Sequence, residues 1–402
     1  MSAEDRTVRS PWVSVWFSPR PAIACSAAIQ PTYIIGALLV LGIAATLYNQ
    51  IVLAGIASDL QDWRLAFGLV FTSVVFGIIS FYVGAWILNV FARLLGGGGS
   101  VTQTRAACAW SVLPTILSSV VILALGASTN HAGLPGVTEL LVIVFSLWSF
   151  IVFLQMLGRV QDFGVWRAFL AGLLNLLFTL FIAVFVRSFL YQSFSIPSGS
   201  MRPTLLVGDY IFVSKSTYGY SHFSLPFSPP LFSGRILFSP PAPGDVVVFR
   251  HAKDTAADYV KRVIGLPGDR IQMQQGRLHI NEAPVKRERM ADVDDDGACG
   301  PPSGASVKHW RETLPNGASY ETLDCLDNGF FDNTVVFTVP EGHFFVLGDN
   351  RDNSIDSRVS QFGPVPFENL IGRVGLVYYS RQAGDAGMAA HVRVERIGMT
   401  VR

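Results

Sequence analysis

The residue types able to do covalent chemistry fall in short blocks of the second half of the chain. Ile196-Pro197-Ser198-Gly199-Ser200-Met201-Arg202-Pro203-Thr204-Leu205 carries two hydroxyls one glycine apart. A serine hydroxyl is a weak nucleophile and needs a base beside it. Tyr259-Val260-Lys261-Arg262-Val263-Ile264-Gly265-Leu266-Pro267-Gly268-Asp269 contains a lysine, which acts as such a base when it is neutral. Burial without a carboxylate partner favours the neutral amine. Strand alternation sets Tyr259, Lys261 and Val263 on one face, which gives the lysine an apolar flank. Taken singly, a Ser-Gly-Ser turn is loop punctuation and a strand lysine is ordinarily solvated. The company of these blocks changes their weight. Gly208-Asp209-Tyr210-Ile211-Phe212-Val213-Ser214-Lys215 and Asp245-Val246-Val247-Val248-Phe249-Arg250 read as turn-bounded strands, and Gly348-Asp349-Asn350-Arg351-Asp352-Asn353-Ser354-Ile355-Asp356-Ser357-Arg358 gathers charged and hydroxyl groups in one loop.

Other chemistries have less support. The histidines are His131, His222, His251, His279, His309, His343 and His391. His343 with Asp349 can be fitted to a Ser-His-Asp scheme, although a strand-edge role suits it better. Asp292-Val293-Asp294-Asp295-Asp296-Gly297 opens like a calcium loop, but its twelfth position is Ser303 where a bidentate glutamate is required. It reads as a solvated acidic turn. Gly96-Gly97-Gly98-Gly99 follows a helix rather than a strand and lacks a Gly-Lys-Ser/Thr sequel, so it reads as a flexible turn. Cys299 and Cys325 form no C-x-x-C pair, which argues against zinc. No metal or organic cofactor is implied.

The elements that must position these residues differ between the two halves. After residue 200, short alternating strands separated by Gly, Pro and Asn predict an all-β, mostly antiparallel domain. Hairpin signals occur at Gln274-Gln275-Gly276 and around Asn281, and 271–340 reads as an inserted β subdomain. Residues 1–200 contain no Lys, only 9 of the 30 basic residues and only 6 of the 29 acidic ones. The 402-residue chain is 50% hydrophobic and 15% charged, against about 25% charged in a soluble domain. That excludes a disordered chain. A net charge of +1 with no run of Lys and Arg excludes a basic nucleic-acid surface.

Five apolar runs near 33–57, 65–92, 107–127, 137–157 and 168–190 are long enough to cross a bilayer, so a five-span α-helical transmembrane bundle is expected ahead of the β domain. The N-terminus and the loops 93–106 and 158–167 carry Arg6, Arg9, Arg20, Arg93, Arg105, Arg159 and Arg167, whereas the opposite loops carry Arg64 alone. Positive charge on short loops therefore places the N-terminus in the cytoplasm and everything after the fifth span outside. No removable signal peptide is expected, because the first apolar run starts late and is too long. Outside, oxidation is permitted, and a Cys299–Cys325 disulfide is expected; Cys25 and Cys108 read as packing residues. Residues 191–200 extend no more than about 35 Å, which keeps Ser200 near the outer membrane surface. The Tyr-, Phe- and Pro-rich segment 218–243 has two open readings, insertion into the membrane interface or packing on its own domain.

In their order along 190–380, the blocks from Ile196 to Arg358 resemble bacterial type I signal peptidases. The resemblance implies a membrane-bound serine endopeptidase that removes N-terminal signal peptides from exported proteins through an acyl-enzyme. It makes Ser200 the nucleophile and Lys261 the general base. Ser198 would join the Ser200 N–H as an oxyanion donor, and Ser354 would orient the lysine. Arg262, Asp356 and Arg358 would form a supporting charged network, and Ile196 and Val260 would line shallow substrate pockets. Endoplasmic-reticulum relatives use His where Lys261 stands; this chain keeps Lys. The implied partners are precursors with small residues before the cleavage site and the bilayer itself, and the implied location is the bacterial cytoplasmic membrane, with the catalytic domain on its outer side.

The first half resembles the Yip1 family of five-span domains over roughly 10–185. The resemblance rests on Trp16-Phe17-Ser18-Pro19-Arg20, Gly97-Gly98-Gly99-Ser100 with Arg105, Pro114, and Val160-Gln161-Asp162-Phe163-Gly164-Val165-Trp166-Arg167-Ala168. It implies a membrane or partner-binding role. The expected division is 1–190 for the membrane domain, 191–385 for the catalytic domain with its insertion, and 386–402 for a tail. Two other functions stay open: a membrane scaffold or trafficking protein with a relic peptidase half, and a peptidase dedicated to one precursor.

Overall fold

Apolar runs with few charges form the helices of the first half: α1 (Pro11–Phe17), α2 (Thr32–Ala54), α3 (Trp63–Leu94), α4 (Val101–Trp110), α5 (Leu113–Ser128), α6 (Pro135–Val160) and α7 (Val165–Phe185). The computed structural model describes residues 11–20, 22–23, 32–54, 63–128, 135–251, 257–294, 299, 306–382 and 391–401. The chain divides into two compact units, Met1–Phe181 and Ile182–Arg402. Arg6, Arg9, Cys25, His131, Asp295, Asp296, Gly297 and Ser303, which the sequence reading mentioned, lie outside the described residues.

Among the described residues, four segments are long and apolar enough to cross a membrane: Val70–Leu94, Val101–Leu125, Gly136–Val160 and Val165–Leu190. The first expected span falls on α2, a 23-residue helix of which Ile34–Tyr48 forms a shorter apolar helix, so the expected number of five is not matched exactly among the described residues. The Val101–Leu125 segment is divided. It starts at a reciprocal cap in which Ser100 and Gln103 satisfy each other's backbone N–H groups, and it restarts at Leu113, where Pro114 occupies the first turn and its missing N–H breaks no helical bond.

The glycine run is tighter than a flexible turn. The Gly99 N–H donates to Gln161 Oε1 at 3.0 Å, and a Cβ on Gly97 would stand 2.5 Å from that oxygen. Gln161 in turn donates to Asn89 at 3.0 Å and to Thr104 at 2.8 Å, so this buried amide is satisfied inside the apolar unit. The glycines are needed for close approach, which their order in sequence does not reveal.

The second unit is built on one antiparallel sheet. Its strands are β1 (Tyr191–Ser195), β2 (Asp209–Ser214), β3 (Val246–Arg250), β4 (Asp258–Gly265), β5 (His343–Leu347), β6 (Val365–Pro366) and β7 (Leu370–Gln382). Their order across the sheet is β1-β2-β7-β3-β4-β5-β6, with His391–Val392 pairing onto β7. Two apolar layers cover it. Ile196, Met201, Leu205, Ile211, Val213 and Val377 form one cluster, and Val247, Phe249, Val263, Phe344 and Leu370 form another. The C-terminal segment also packs here, since Val401 belongs to the first cluster.

Between β4 and β5 the chain forms two small antiparallel sheets. The hairpin of Arg270–Gln274 and Arg277–Ile280 turns through Gln275 and Gly276, both at positive φ (50° and 71°). That is the geometry two-residue hairpins favour. Ser306–Thr313 lies between Ser319–Asp324 and Lys286–Arg289. Cys299 and Cys325 are joined by a disulfide. Asp292 pairs with Arg289 and accepts from Ser306, and among the described residues no cluster of three or more His, Cys, Asp or Glu side chains could hold a metal ion.

Candidate active site

β1 delivers the Ser-Gly-Ser segment. Its exit is pinned by Ile196, whose N–H donates to the Asp209 carbonyl and whose carbonyl accepts from Gly208. The chain then tightens into a single 3-10 turn, Gly199–Met201, which buries Ser200 and Met201. Lys261 comes from β4, held in register by pairing opposite Val247 on β3. Alternation operates along this strand: Tyr259 and Val263 pack with Phe249 and Phe344, whereas Val260 packs with Ile196 and Met201.

These elements bring Lys261 Nζ to 2.7 Å from Ser200 Oγ. Lys261 is 4% exposed. Burial pushes its amine down to about 8; Asp356 and Asp349 pull the other way, and Arg358 adds to the depression. Ser198 Oγ lies 3.4 Å from Ser200 Oγ on the exposed side. Ile196, Ser198, Tyr259 and Val260 line a groove of about 410 Å³ that reaches Ser200 and Lys261. On the groove side β4 is incomplete. β3 pairs with it from Asp258 to Arg262, but β5 pairs with it only from Arg262 onward, so among the described residues 258–261 face no strand on that flank.

The loop after β5 closes the site from behind. The Asn350 N–H donates to the Ser200 carbonyl at 3.1 Å, and the Asn350 side chain donates to the Gly199 carbonyl. A Cβ on Gly348 would stand 2.3 Å from Ser354 Oγ and 2.6 Å from the Ser200 carbonyl oxygen, so only glycine fits. Asp356 is fully buried. Burial alone would raise its pKa, but Arg358, by charge and by two hydrogen bonds at 2.8 Å, and the Gly348 N–H hold it below the usual carboxylate range.

The charged residues singled out in the sequence separate into distinct pairs. Arg358 grips Asp356, whereas Arg262 makes a two-pronged contact with Asp349 at 2.8 and 2.7 Å, and Thr204 donates to the same carboxylate. Asp349 had been considered only in a histidine scheme. His343 makes its ring contact with the Glu341 carbonyl instead. Ser354 is buried beside Asp356, whose carboxylate it helps to hold low, and the structure makes no hydrogen bond between its hydroxyl and Lys261. Arg351 binds Glu312 of the insertion through both its terminal nitrogens. A glutamate in a β strand reads as solvent-facing, so nothing in the sequence pointed to Glu312.

A profile of the family described as signal peptidase, peptidase S26, matches residues 170–379, and a Yip1 domain profile matches residues 13–186. The chain is 42% identical over 214 residues to the signal peptidase I of Rickettsia typhi (strain ATCC VR-144 / Wilmington), covering 50% of this chain and 77% of that one. It is 42% identical over 211 residues to the signal peptidase I of Rickettsia akari (strain Hartford), covering 50% and 77%. The crystal structure of a signal peptidase I from Enterococcus faecalis V583 is 25% identical, with 34% of this chain and 97% of that chain covered and a TM-score of 0.20. The peptidase match begins inside α7, spans the sheet that carries Ser200 and Lys261, and covers more than half of the sequence, and so the chain belongs to the signal peptidase family, peptidase S26, with a Yip1 domain ahead of the peptidase.

Proposed function

We propose that this membrane signal peptidase cleaves precursor proteins with a Ser200/Lys261 pair. The observation that carries the reading is the 2.7 Å contact between a buried amine, lowered to about 8, and a serine hydroxyl at the floor of an open groove. The neutral Lys261 amine takes the Ser200 proton as Oγ attacks the carbonyl carbon before the scissile bond. The oxyanion that forms meets the Ser200 N–H and the Ser198 hydroxyl; such donors are worth about 3 kcal/mol each. The Lys261 ammonium then protonates the leaving amine, giving an ester on Ser200. A water molecule, deprotonated by the same amine, hydrolyses that ester and frees the signal peptide.

Other residues support these steps. Asn350 and Gly348 fix the Ser200 backbone, and the Arg262–Asp349 and Arg358–Asp356 pairs fix the loop that bears them. Ser354 is assigned the orienting of the Lys261 amine; its buried hydroxyl lies with the Ser200 carbonyl around Gly348, which supports that role. Ile196 and Val260 shape shallow pockets suited to small side chains, and the open flank of β4 suits an extended substrate.

In this reading the protein lies in the cytoplasmic membrane of a bacterium with its N-terminus inside. Arg93, Arg105, Arg159 and Arg167 on the loops of one side support that orientation. Residues 1–190 serve as the membrane half, 191–385 as the catalytic half with its insertion at 271–340, and 386–402 as a C-terminal segment. The division into units at Phe181/Ile182 supports a boundary near the end of the last span.

The test is cleavage of a generic precursor with an Ala-x-Ala site by the purified full chain. Ser200→Ala and Lys261→Ala should each abolish cleavage and leave the fold intact. Full activity in Lys261→Ala rules out the pair.

A further inference from the structure

The insertion between β4 and β5 meets the catalytic loop along a short seam. The Leu323 N–H donates to the Asp349 carbonyl and the Leu323 carbonyl accepts from the Arg351 N–H, so Leu323 and Asn350 form a parallel bridge. Further along the same strand, the N–H groups of Cys325 and Leu326 both donate to Asp352 Oδ2, at 2.7 and 2.9 Å. The disulfide to Cys299 ties down this end of the strand. Beside the backbone seam lies an ionic one. Glu312 is 1% exposed. It accepts from both terminal nitrogens of Arg351, at 3.1 and 2.6 Å, and from the Tyr320 hydroxyl at 3.1 Å.

Arg351 has a second grip. Its Nε donates to the Gly348 carbonyl at 3.2 Å, and its own carbonyl accepts from Arg358 at 2.6 Å. Gly348 is the residue that leaves no room for a Cβ between Ser354 Oγ and the Ser200 carbonyl. Asn350, between Gly348 and Arg351, donates its N–H to that same carbonyl. A guanidinium is planar, with its donors in a fixed fork. Turning the edge that meets Glu312 therefore turns the edge that meets Gly348. The carboxylate of the insertion is linked in this way to the backbone of the nucleophile without touching it. A buried ion pair adds little stability over apolar side chains of the same volume. What this one adds is a fixed direction for the loop.

We propose that Glu312 is a positioning residue for peptide-bond cleavage: through the Arg351 fork it aims the Gly348–Asn350 loop that holds the Ser200 backbone. The inserted subdomain is thereby a working part of the catalytic centre. The proposal rests on the peptidase reading and goes beyond it in giving the insertion a task.

The test uses the full chain in detergent micelles and a short soluble peptide, cleaved both under multiple turnover and with enzyme in excess. The single-turnover constant reads each folded site and is blind to the fraction folded. Glu312→Gln keeps the volume and one acceptor oxygen. Glu312→Leu combined with Arg351→Met removes both charges, so that neither is left buried alone. Each should lower the single-turnover constant at least about tenfold and leave KM within about twofold, because the reacting groups are misplaced rather than the peptide unbound. The rise of the rate towards about pH 8, set by Lys261, should stay where it is. Glu282→Gln, which weakens an exposed pair with Arg270 elsewhere in the insertion, should stay within about twofold of wild type throughout. A double variant that folds and cleaves at the wild-type single-turnover rate overturns the proposal. So does slowing confined to multiple turnover, which reports fewer folded sites, or a displaced pH limb, which reports a site loosened around Lys261. If the double variant does not fold, the single-turnover constant of Glu312→Gln decides alone: a wild-type value overturns the proposal. A wild-type chain that cleaves no peptide refutes the peptidase reading and this proposal with it, whereas unslowed variants of an active chain refute the positioning role alone.

Discussion

Replacing Lys261 with Met should make the catalytic half more stable while destroying its activity. The amine is 4% exposed and its pKa falls from 10.5 to about 8. That fall corresponds to about 3 kcal/mol. The sign follows from proton binding. Between pH 8 and 10.5 the unfolded chain holds a proton that the folded chain has released, so folding is favoured as pH rises through that window. Below pH 8 both states are charged, and the fold bears the whole cost of burying the ammonium. Methionine matches the stem and carries no charge. It forfeits the hydrogen bond to Ser200, worth about 1 kcal/mol. A net gain of about 2 kcal/mol remains at pH 7, which for a unit of this size is roughly 4–8 °C in Tm. The assay is thermal unfolding of the intact chain in micelles, followed by near-ultraviolet circular dichroism at pH 7, 9 and 10.5, with cleavage measured on the same samples. The difference should be largest at pH 7 and shrink towards pH 10.5, and cleavage should fall by at least about 100-fold. A Met variant no more stable than wild type at pH 7, or a difference indifferent to pH, would refute the claim that a desolvated amine sits in this site.

Three further outcomes follow from the same geometry. The kcat/KM for precursor cleavage should climb about tenfold per pH unit up to about 8 and then level, because only the neutral Lys261 amine is active; a limb centred near 6.5 would point to histidine instead. Arg262→Met strands the buried Asp349 carboxylate and should cost about 3–5 kcal/mol in chemical denaturation, whereas adding Asp349→Leu should restore much of it. Gly348→Ala places a methyl group against the Ser200 carbonyl and Ser354, so kcat should drop by an order of magnitude or more while KM for a short peptide changes little.

What could be read from the sequence followed periodicity and local turn chemistry. The apolar runs predicted helices, and Gln275-Gly276 predicted the hairpin that is observed. The cysteine pair was expected from the compartment and is joined in the structure. What escaped was set by tertiary approach. The Arg262 fork to Asp349 joins residues 87 apart in the chain, through loops whose pattern says nothing of facing partners. Glu312 sits inward on a strand and is satisfied by the Tyr320 hydroxyl and by Arg351, 39 residues later. The four-glycine run looked like a loose turn until Gln161, 62 residues beyond Gly99, filled the space a side chain would need.

Among the described residues, β4 has no partner strand before Arg262 on the β5 side, so 258–261 present an open edge there. In the proposed reading, a substrate that pairs with this edge would be gripped by its peptide groups, which every residue possesses, and inspected by side chain only where the groove walls come close. Such a reader is lenient about spelling and strict about shape. A helical or folded segment cannot lie down in it, and a proline with its nitrogen toward β4 forfeits a rung. Leniency of that kind would let one enzyme of the proposed type serve clients that share little beyond a stretch of straight backbone.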